Sequence, residues 1–491
     1  MLKTPSSADA RTIPASETIL SASVDEGGYL WAVSSSALYL LRPSAASFER
    51  YPNNAGDIGT AVCTAGICQN GGLQSIAGGG PGEAWLGYAG VFLGGTEIDD
   101  PKVVPLSIRE SGGAERFFAV PDASGNPAGI RRDDNIGQLC ATSTNPDGSA
   151  RAPVPTRGHL VFCTPPGVLR AEPDGRWKIR TVWTIAFNHG ASGYRGDVFF
   201  GGNHGMAQWN HTHELRDPFA MQEHQHAGYN YSRTGLKDTL LTGDHHGLVI
   251  DPATGNVWTG ADYGVARLHY MDGFPGGDFW AQNIPNGAYD SGFPRVPYHY
   301  TDGPGFQTWG CTLGVNTCQS LSQDNAAYGA SYHPTTGGRD FVQSMSFDAW
   351  GNLWIASYIN GLARVPMTPG ADKSGIVAAA SQRDLLFWNN NRGGQKPGWP
   401  QQAYDFAFAV LGDPDGSIWV GTRDFGAYRF VAQTGQWVSY AGVVAGNTVS
   451  QIALDPRPTC NPDAPGTPAG CIPRRAVVFA TEKGVTVYSG P

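Results

Sequence analysis

The stretch DAWGNLWIASYINGLARV, residues 348–365, contains the pattern that decides the fold. It opens with Asp348 and reaches Gly351 three residues later, and Asp and Gly are residues that favour a tight reversal of the chain. A short apolar segment around Trp354 follows, then a second turn at Asn360, then another apolar segment. Short apolar segments bounded by turn residues are typical of β-strands. The stretch therefore predicts a strand–turn–strand unit that begins with a tight turn.

Similar units recur along the whole chain. The two clearest further copies are DPATGNVWTGADYGVARL (251–268) and DPDGSIWVGTRDFGAYRF (413–430). The remaining copies are DEGGYLWAVSSSALYLL (25–41), GEAWLGYAGVFL (82–93), GHLVFCTPPGVLR (158–170), GDVFFGGNHGMAQW (196–209) and AVVFATEKGVTVY (476–488). A central aromatic residue marks each copy: Trp31, Trp85, Phe162, Phe199, Trp258, Trp354, Trp419 and Phe479. Regular repetition of one small unit indicates a repeat architecture.

These repeats predict an all-β fold, a single β-propeller domain over residues 1–491, in which four-stranded blades surround one axis. The shortest interval between aromatic markers, from Phe162 to Phe199, just accommodates such a blade. The motif count gives eight blades, but three copies lack a complete Asp-x-x-Gly, so seven is the alternative. We expect the aromatic ring to pack between neighbouring blades and the glycine after it to permit a turn. An ordinary β-sandwich is disfavoured by the number of copies.

The repeated string D-x-x-G-x-(I/L/V)-W-(I/V/T)-(G/A)-(T/S)-x-x-x-G-(L/V/A) stands complete at 348–362 and 413–427. It resembles the repeat of two-component-regulator propellers and is also similar to that of streptogramin-lyase propellers. The resemblance covers most of the chain outside its insertions and implies the propeller fold. Streptogramin-lyase propellers use a histidine and a divalent cation at one face. Their motif is not matched residue by residue, so the resemblance implies no catalytic residue.

The two ends of the chain are predicted to meet in one blade. The last copy stops at Tyr488, after its third strand. Residues 11–15 precede the first inner strand, which is predicted at 19–24. We expect this N-terminal segment to supply the missing outer strand of the last blade, because that removes an exposed sheet edge.

Three segments are longer than a blade requires, and we interpret them as insertions at about 94–156, 210–243 and 270–340. Long loops on a rigid scaffold often carry function. The third insertion is rich in Phe, Tyr and Trp, which suits stacking on a sugar or a peptide. Packing of the loop on its own aromatic rings is the alternative.

The cysteines predict a disulfide-containing protein. They fall into four close pairs, which are Cys63 with Cys68, Cys140 with Cys163, Cys311 with Cys318, and Cys460 with Cys471. An even number in neighbouring pairs indicates loop-closing disulfides, and none of the spacings matches a zinc ribbon. Metal ligation or free thiols are the alternative. Because disulfides persist in oxidising compartments, we expect an extracytoplasmic protein, periplasmic or secreted.

Charge and hydropathy narrow the range of partners. The net charge of −9 and the pI of about 5.7 argue against nucleic acid and anionic membrane surfaces. No apolar run has the length of a membrane span, so membrane insertion is not expected. The first ten residues lack the apolar stretch of a signal peptide. Together with the cysteines, this favours a numbering that begins after a removed leader.

A polar binding face is predicted from the turns between the second and third strands of the blades. In a propeller these turns surround one mouth of the central channel, where loops commonly carry function. The register of the repeat brings together Ser34–Ser36 and the expected ligand-binding residues Tyr88, Asn203, Asp262, Tyr263, Asn360, Arg423, Asp424, Glu482 and Lys483. Such a mixture of donors, acceptors and charges suits a polar ligand. A solvated rim of turn residues is the alternative.

Histidines are the candidates for catalysis or for binding a divalent metal. His204, His245 and His246 lie close to the same predicted face, and imidazole titrates near neutral pH. The wider candidate metal set adds His211, His213, His224 and His226, whose spacing places two imidazoles on one side of an extended strand. No defined metal motif is present, so polar loop histidines are the alternative.

Three functions remain open at this point. The favoured one is non-catalytic binding of a polar small molecule, a glycan, a peptide or a partner protein at one face. The first alternative is a metal-dependent lyase or hydrolase with a histidine-containing site at that face. The second is a structural subunit that forms oligomers through its insertions. No cofactor is indicated beyond a divalent metal.

Overall fold

The computed structural model describes about half of the chain in several segments. These are residues 6–7, 10–43, 45–53, 62–64, 67–69, 71–93, 96–99, 103–107, 109–111, 114–116, 119–121, 127–130, 181–190, 195–202, 205–209, 221–225, 244–252, 255, 257–261, 264–268, 342–358, 361–365, 386–388, 406–431, 433–457, 459, 472 and 474–490. Everything below concerns these residues.

The described residues form 34 β-strands and no α-helix. In chain order they are β1 (Ala10–Pro14), β2 (Ser21–Val24), β3 (Leu30–Val33), β4 (Ala37–Leu41), β5 (Glu49–Pro52), β6 (Val62–Thr64), β7 (Ile67–Gln69), β8 (Leu73–Gly78), β9 (Glu83–Tyr88), β10 (Val91–Leu93), β11 (Thr96–Asp99), β12 (Val103–Ser107), β13 (Arg109–Ser111), β14 (Ala114–Arg116), β15 (Ala119–Pro121), β16 (Pro127–Ile130), β17 (Val182–Phe187), β18 (Val198–Gly202), β19 (Gly205–Trp209), β20 (Met221–Gln225), β21 (His245–Ile250), β22 (Val257–Ala261), β23 (Gly264–Leu268), β24 (Val342–Phe347), β25 (Leu353–Ser357), β26 (Gly361–Val365), β27 (Leu386–Trp388), β28 (Ala407–Gly412), β29 (Ser417–Thr422), β30 (Ala427–Val431), β31 (Gln436–Ser439), β32 (Val449–Leu454), β33 (Val477–Thr481) and β34 (Gly484–Tyr488).

Seven antiparallel sheets of three or four strands form the body of the described structure. In order they are blade 1 (β2-β3-β4-β5), blade 2 (β8-β9-β12), blade 3 (β17-β18-β19-β20), blade 4 (β21-β22-β23), blade 5 (β24-β25-β26-β27), blade 6 (β28-β29-β30-β31) and blade 7 (β32-β33-β34-β1). The first strand of each blade contacts the first strand of the next, and β32 contacts β2. The blades therefore surround one axis, and the chain is an all-β propeller.

The prediction of eight blades is not confirmed. The copy of the motif at 158–170 lies outside the described residues. On either side of it, β8 of blade 2 contacts β17 of blade 3 directly. The first strands of the seven described blades therefore form a closed ring of contacts. Within this ring, no described sheet lies between blades 2 and 3.

Two of the predicted insertions contain blade strands. Within 94–156, β12 pairs with β9 and is the third strand of blade 2, whereas β10 pairs with β11 in a separate hairpin. Within 210–243, β20 pairs with β19 and is the outer strand of blade 3. The outer strands lack the Trp and Gly that mark the repeat, so the sequence pattern does not distinguish them from an insertion. The segment 270–340 lies outside the described residues.

The N-terminus closes the ring, as predicted. Strand β1 pairs antiparallel with β34, with Ala10 opposite Tyr488 and Pro14 opposite Gly484. The last blade is therefore built from both ends of the sequence, and its outer edge is covered.

A carboxylate organises the turn that starts the repeat. In blade 5, Asp348 accepts the backbone N–H groups of Trp350 (2.9 Å) and Asn352 (2.8 Å) and the indole N–H of Trp354 (2.9 Å). In blade 1, Asp25 likewise accepts the indole N–H of Trp31 at 2.9 Å. The aspartate thus fixes both the reversal of the chain and the orientation of the aromatic ring.

The aromatic markers pack between blades, as predicted. The ring of Trp419 in blade 6 lies 5.6 Å from that of Phe479 in blade 7, and the ring of Trp258 in blade 4 lies 6.4 Å from that of Phe347 in blade 5. Both tryptophans are almost fully buried. Burial of such large rings stabilises each contact between blades.

The glycine after the aromatic residue has a different role from the one predicted. Gly260 and Gly421 lie within the second strand, not in a turn. A Cβ atom at Gly421 would lie 2.6 Å from Cγ1 of Val449, in the first strand of the next blade, and one at Gly260 would collide with Val342. The missing side chain therefore lets adjacent blades approach closely.

Serine hydroxyls also link the first strands of adjacent blades. Ser23 in blade 1 accepts the N–H of Gly78 in blade 2, and Ser346 in blade 5 accepts the N–H of Gly412 in blade 6, both at 2.9 Å. Each serine stands two residues before the aspartate of its turn. These bonds satisfy backbone donors that would otherwise be buried between two sheets.

We predict that the bond between Asp348 and Trp354 contributes about 1.5–3 kcal/mol to stability, as is usual for a hydrogen bond to a charged group. The test is a double-mutant cycle of Asp348→Asn and Trp354→Phe, followed by urea denaturation. The same cycle on Asp413 and Trp419 is the control. It should give a smaller coupling, because that bond is longer, at 3.2 Å. Additive effects at both pairs would contradict the role assigned to the aspartate.

One of the predicted cysteine pairs lies in a described hairpin. In the hairpin of β6 and β7, Cys63 stands directly opposite Cys68. Cα atoms of directly opposed residues are about 4.5–5.5 Å apart, within the range that a disulfide spans. Cys140, Cys163, Cys311, Cys318, Cys460 and Cys471 lie outside the described residues.

We therefore expect Cys63 and Cys68 to be joined in protein purified without reductant. Peptide mapping by mass spectrometry should find the peptide with both cysteines two hydrogens lighter than after reduction. Recovery of both residues as alkylated thiols from oxidising conditions would refute this pairing.

Candidate binding site at the entry face

One end of the ring gathers the starts of the first strands and the turns between the second and third strands. The register shows this directly, since Val182 at the start of β17 pairs with Gly202 at the end of β18, and Val342 pairs with Ser357 in the same way. We call this end the entry face. It is the face on which the polar ring was predicted.

A β-bulge occurs near the start of six of the seven described first strands. The register shifts after the first residue of β8, β17, β21, β24, β28 and β32. The extra residues at these bulges are Gln74, Trp183, His246, Gln343, Phe408 and Ser450. All six are partly exposed. Because bulges re-aim side chains and are common beside functional sites, these six positions are a candidate ligand-contacting ring.

Neighbouring members of this bulge ring contact each other. The ring of Trp183 in blade 3 lies 5.0 Å from the imidazole of His246 in blade 4. The indole N–H of Trp183 is buried and makes no hydrogen bond in the structure. The bulge residues are aromatic or neutral polar side chains, which suits contact with an uncharged polar group.

The structure separates the two adjacent histidines that were predicted to act together. His245 is fully buried, and its Nδ1 lies 2.8 Å from the hydroxyl of Thr259. His246 lies on the entry face, and its Nε2 is 3.9 Å from a carboxylate oxygen of Asp244. The two imidazoles therefore have different surroundings, one in the core and one on the entry face.

The described part of the chain contains no group of three or more His, Cys, Asp or Glu residues placed to hold a metal ion. Four other members of the predicted histidine set lie outside the described residues: His204, His211, His213 and His226. His224 is described only as part of the backbone of β20. The predicted metal site therefore remains a hypothesis for those residues.

An aromatic–arginine cluster spans blades 5 and 6 on the entry face. Tyr358 follows β25, Phe406 and Phe408 stand at the start of β28, and Arg423 follows β29. The ring of Tyr358 lies 5.5 Å from that of Phe406 and 5.4 Å from that of Phe408. The guanidinium carbon of Arg423 lies 4.2 Å above the ring of Phe406. All four side chains are partly exposed.

Two predicted ligand-binding residues make contacts within the protein. Tyr88 is almost fully buried in the core between blades 1 and 2, and burial raises the pKa of its hydroxyl group. The carboxylate of Glu482 accepts the backbone N–H groups of Asn447 (2.8 Å) and Thr448 (2.9 Å) and so holds a neighbouring turn. Lys483 is exposed.

The turn at Ser34–Ser36 is held by a residue that the sequence reasoning missed. Glu17 accepts the hydroxyls of Ser34 and Ser36 and a guanidinium N–H of Arg50. Partial burial opposes ionisation, but these hydrogen bonds outweigh it and lower the pKa of Glu17 to about 2. The carboxylate therefore stays charged and already has its donors.

The remaining predicted ligand-binding residues, Asn203, Asp262, Tyr263 and Asn360, lie outside the described residues. Of the predicted set, Arg423 and Asp424 are therefore the pair that the structure places on the entry face with contacts suited to binding. Phe406, Phe408, Trp183 and Tyr358 were missed. Their positions in the repeat could have indicated these residues, because each lies at the start of a first strand or just after a second strand.

We predict that His246 makes stability depend on pH. Burial lowers its pKa to about 4, from an ordinary value of about 6.5. Between these values the unfolded chain binds more protons, so stability is fully present above pH 6.5 and falls by up to about 3 kcal/mol toward pH 4. His246→Phe should flatten this part of the profile in urea denaturation. The control is Gln74→Ala, at the equivalent bulge of blade 2, which should leave the profile unchanged. If the slope of stability against pH were the same in His246→Phe as in the unsubstituted protein, His246 would not be its cause.

Comparison with solved structures finds similar chains at very low sequence identity. No protein-family profile and no curated protein sequence matches the chain. Among solved structures, the chain is similar to "YCF48 from Cyanidioschyzon merolae" (10% identity, 98% of each chain, TM-score 0.43) and "YCF48 bound to D1 peptide" (11% identity, 98% of this chain and 96% of that one, TM-score 0.42). It is also similar to a chain of "Crystal Structure of Mitotic Checkpoint Complex" (8% identity, 100% of this chain and 98% of that one, TM-score 0.44).

In the described segments, no helix has the length and apolar character needed to cross a bilayer.

Proposed function

We propose that this chain is an extracytoplasmic propeller that binds a partner protein at its entry face, without catalysis. The observation that carries the proposal is the cluster of Tyr358, Phe406, Phe408 and Arg423. Tyrosine, tryptophan and arginine are the residue types most enriched at the energetic centres of protein interfaces. Here, partly exposed aromatic rings and an arginine stand next to the bulge ring.

The cluster is held in place before any partner binds. Arg423 rests on Phe406, and its Nη1 donates to the hydroxyl of Tyr358 at 2.9 Å. Its backbone carbonyl accepts the hydroxyl of Thr448 from blade 7. Side chains that are already ordered lose less conformational entropy on binding. A rigid surface of this kind favours recognition of a partner.

The location, the disulfides and the blade number belong to the same proposal. The paired cysteines support an oxidising compartment, and the opposed positions of Cys63 and Cys68 add to that support. The closed cycle of first strands supports seven blades for the whole chain. The likeness to two-component-regulator and streptogramin-lyase repeats supports the repeat type, and nothing catalytic is taken from it.

We predict that a photo-crosslinking amino acid at position 408 will capture a partner in the native envelope or secreted fraction. The matched control is the same group at Trp350, a residue half exposed in the turn at the opposite end of blade 5. Crosslinks from position 408, absent from position 350, are the expected result. Equal labelling from both positions would refute a specific entry-face site.

The identified partner should then lose affinity for Arg423→Ala by at least about tenfold, because truncation of a central interface arginine commonly costs 1–2 kcal/mol or more. Calorimetric titration measures this. Arg195→Ala is the control, since Arg195 is an exposed, ion-paired arginine in the turn between β17 and β18, at the opposite end of the ring. Equal losses in the two variants would point to non-specific charge effects.

A further inference from the structure

Arg423 has more hydrogen-bond donors than the protein uses. A guanidinium carries five N–H donors and no acceptor. Its Nε donates to Asp424 at 2.7 Å and its Nη1 to the hydroxyl of Tyr358 at 2.9 Å. In the described structure the other three N–H groups, two of them on Nη2, have no acceptor. The side chain is 37% exposed, so a ligand can reach it.

Two aromatic rings border this guanidinium. Its carbon lies 4.2 Å from the centre of the Phe406 ring and 5.7 Å from that of Tyr358. Contact with the Phe406 ring covers one side of the guanidinium and leaves its edge for hydrogen bonding. N–H donors along the edge of a guanidinium match the two oxygens of a carboxylate.

We propose that Arg423 is the recognition site for a carboxylate of the bound partner, carried by an Asp or Glu side chain or by a chain terminus next to an aromatic residue. The inference rests on the proposed function and specifies the chemistry of its ligand. The aromatic neighbour of the carboxylate would pack against Tyr358, which contacts Arg423, and against Phe408, which contacts Tyr358.

Asp424 acts in the free protein as an internal competitor for the incoming carboxylate. The pair of Arg423 and Asp424 is exposed, with Asp424 at 45%, and exposed ion pairs contribute little to stability. Its replacement by a ligand carboxylate with better geometry therefore costs little. Removal of the Asp424 charge should then strengthen binding, whereas a purely structural role for the pair would not produce that gain.

The test uses fluorescence polarisation of the full chain with three labelled peptides. The first alternates Glu and Phe and is amidated, the second has Gln in place of Glu, and the third is the Gln peptide with a free C-terminal carboxylate. We expect the Glu peptide to bind at least about tenfold more tightly than the amidated Gln peptide. Tighter binding of the third peptide alone would also support the proposal and would identify a chain terminus as the source of the carboxylate.

Four variants complete the experiment. Arg423→Ala should abolish the preference for carboxylate, and Arg423→Lys should reduce it because lysine lacks the planar fork. Asp424→Asn should increase affinity for the carboxylate peptide severalfold, and Arg195→Ala should leave it unchanged. Thermal melts confirm that each variant is folded.

Equal binding of all three peptides, or no binding of any carboxylate peptide, overturns the inference. In that case a partner crosslinked at position 408 still supports the proposed function with a different ligand chemistry. Loss of both the crosslink and peptide binding would refute the two together.

Discussion

A buried carboxylate at the start of the repeat is the interaction on which the ring depends. In blades 1, 5 and 6 the aspartate of the Asp-x-x-Gly turn accepts the indole N–H of the tryptophan six residues later. The same aspartate accepts backbone N–H groups of its own turn, so one side chain fixes the reversal of the chain and the placement of the ring. In blade 1 it also accepts the N–H of Gly82 in blade 2. Local turn geometry and contact between blades are therefore coupled.

This coupling explains why the fold could be predicted and where the prediction went wrong. The sequence shows the three residues that define the unit, which are Asp348, Gly351 and Trp354. Their spacing corresponds to a turn in which the aspartate is hydrogen-bonded to the tryptophan. The outer strands β12 and β20 carry no such signal, because an outer strand needs only an edge to pair with. Their pairing is decided by the sheet that already exists. For that reason they were interpreted as insertions.

The candidate site was less accessible to sequence reasoning than the fold. Its bulge residues are extra residues in a strand, and a bulge leaves no mark in a pattern of apolar and polar positions. Tyr358 and Arg423 stand 65 positions apart in the chain and meet because two blades are adjacent. Arg423 and Asp424 were predicted as face residues from the repeat. Their aromatic platform could be seen only when the blades were placed side by side. Conversely, Tyr88 has the right position in the repeat but points into the core.

The pairing of β1 with β34 has a consequence for how the molecule is made. The strand that completes the last blade is made before the other described strands, and its partner is made after them. Until β34 has been made, β1 has no native neighbour and the ring stays open between its first and last sheets. Closure is therefore a late, long-range event, for which the entropy of bringing distant segments together must be overcome once. After closure, the pairing of β1 with β34 holds the ring together. Opening the ring then requires the removal of a whole strand from its sheet.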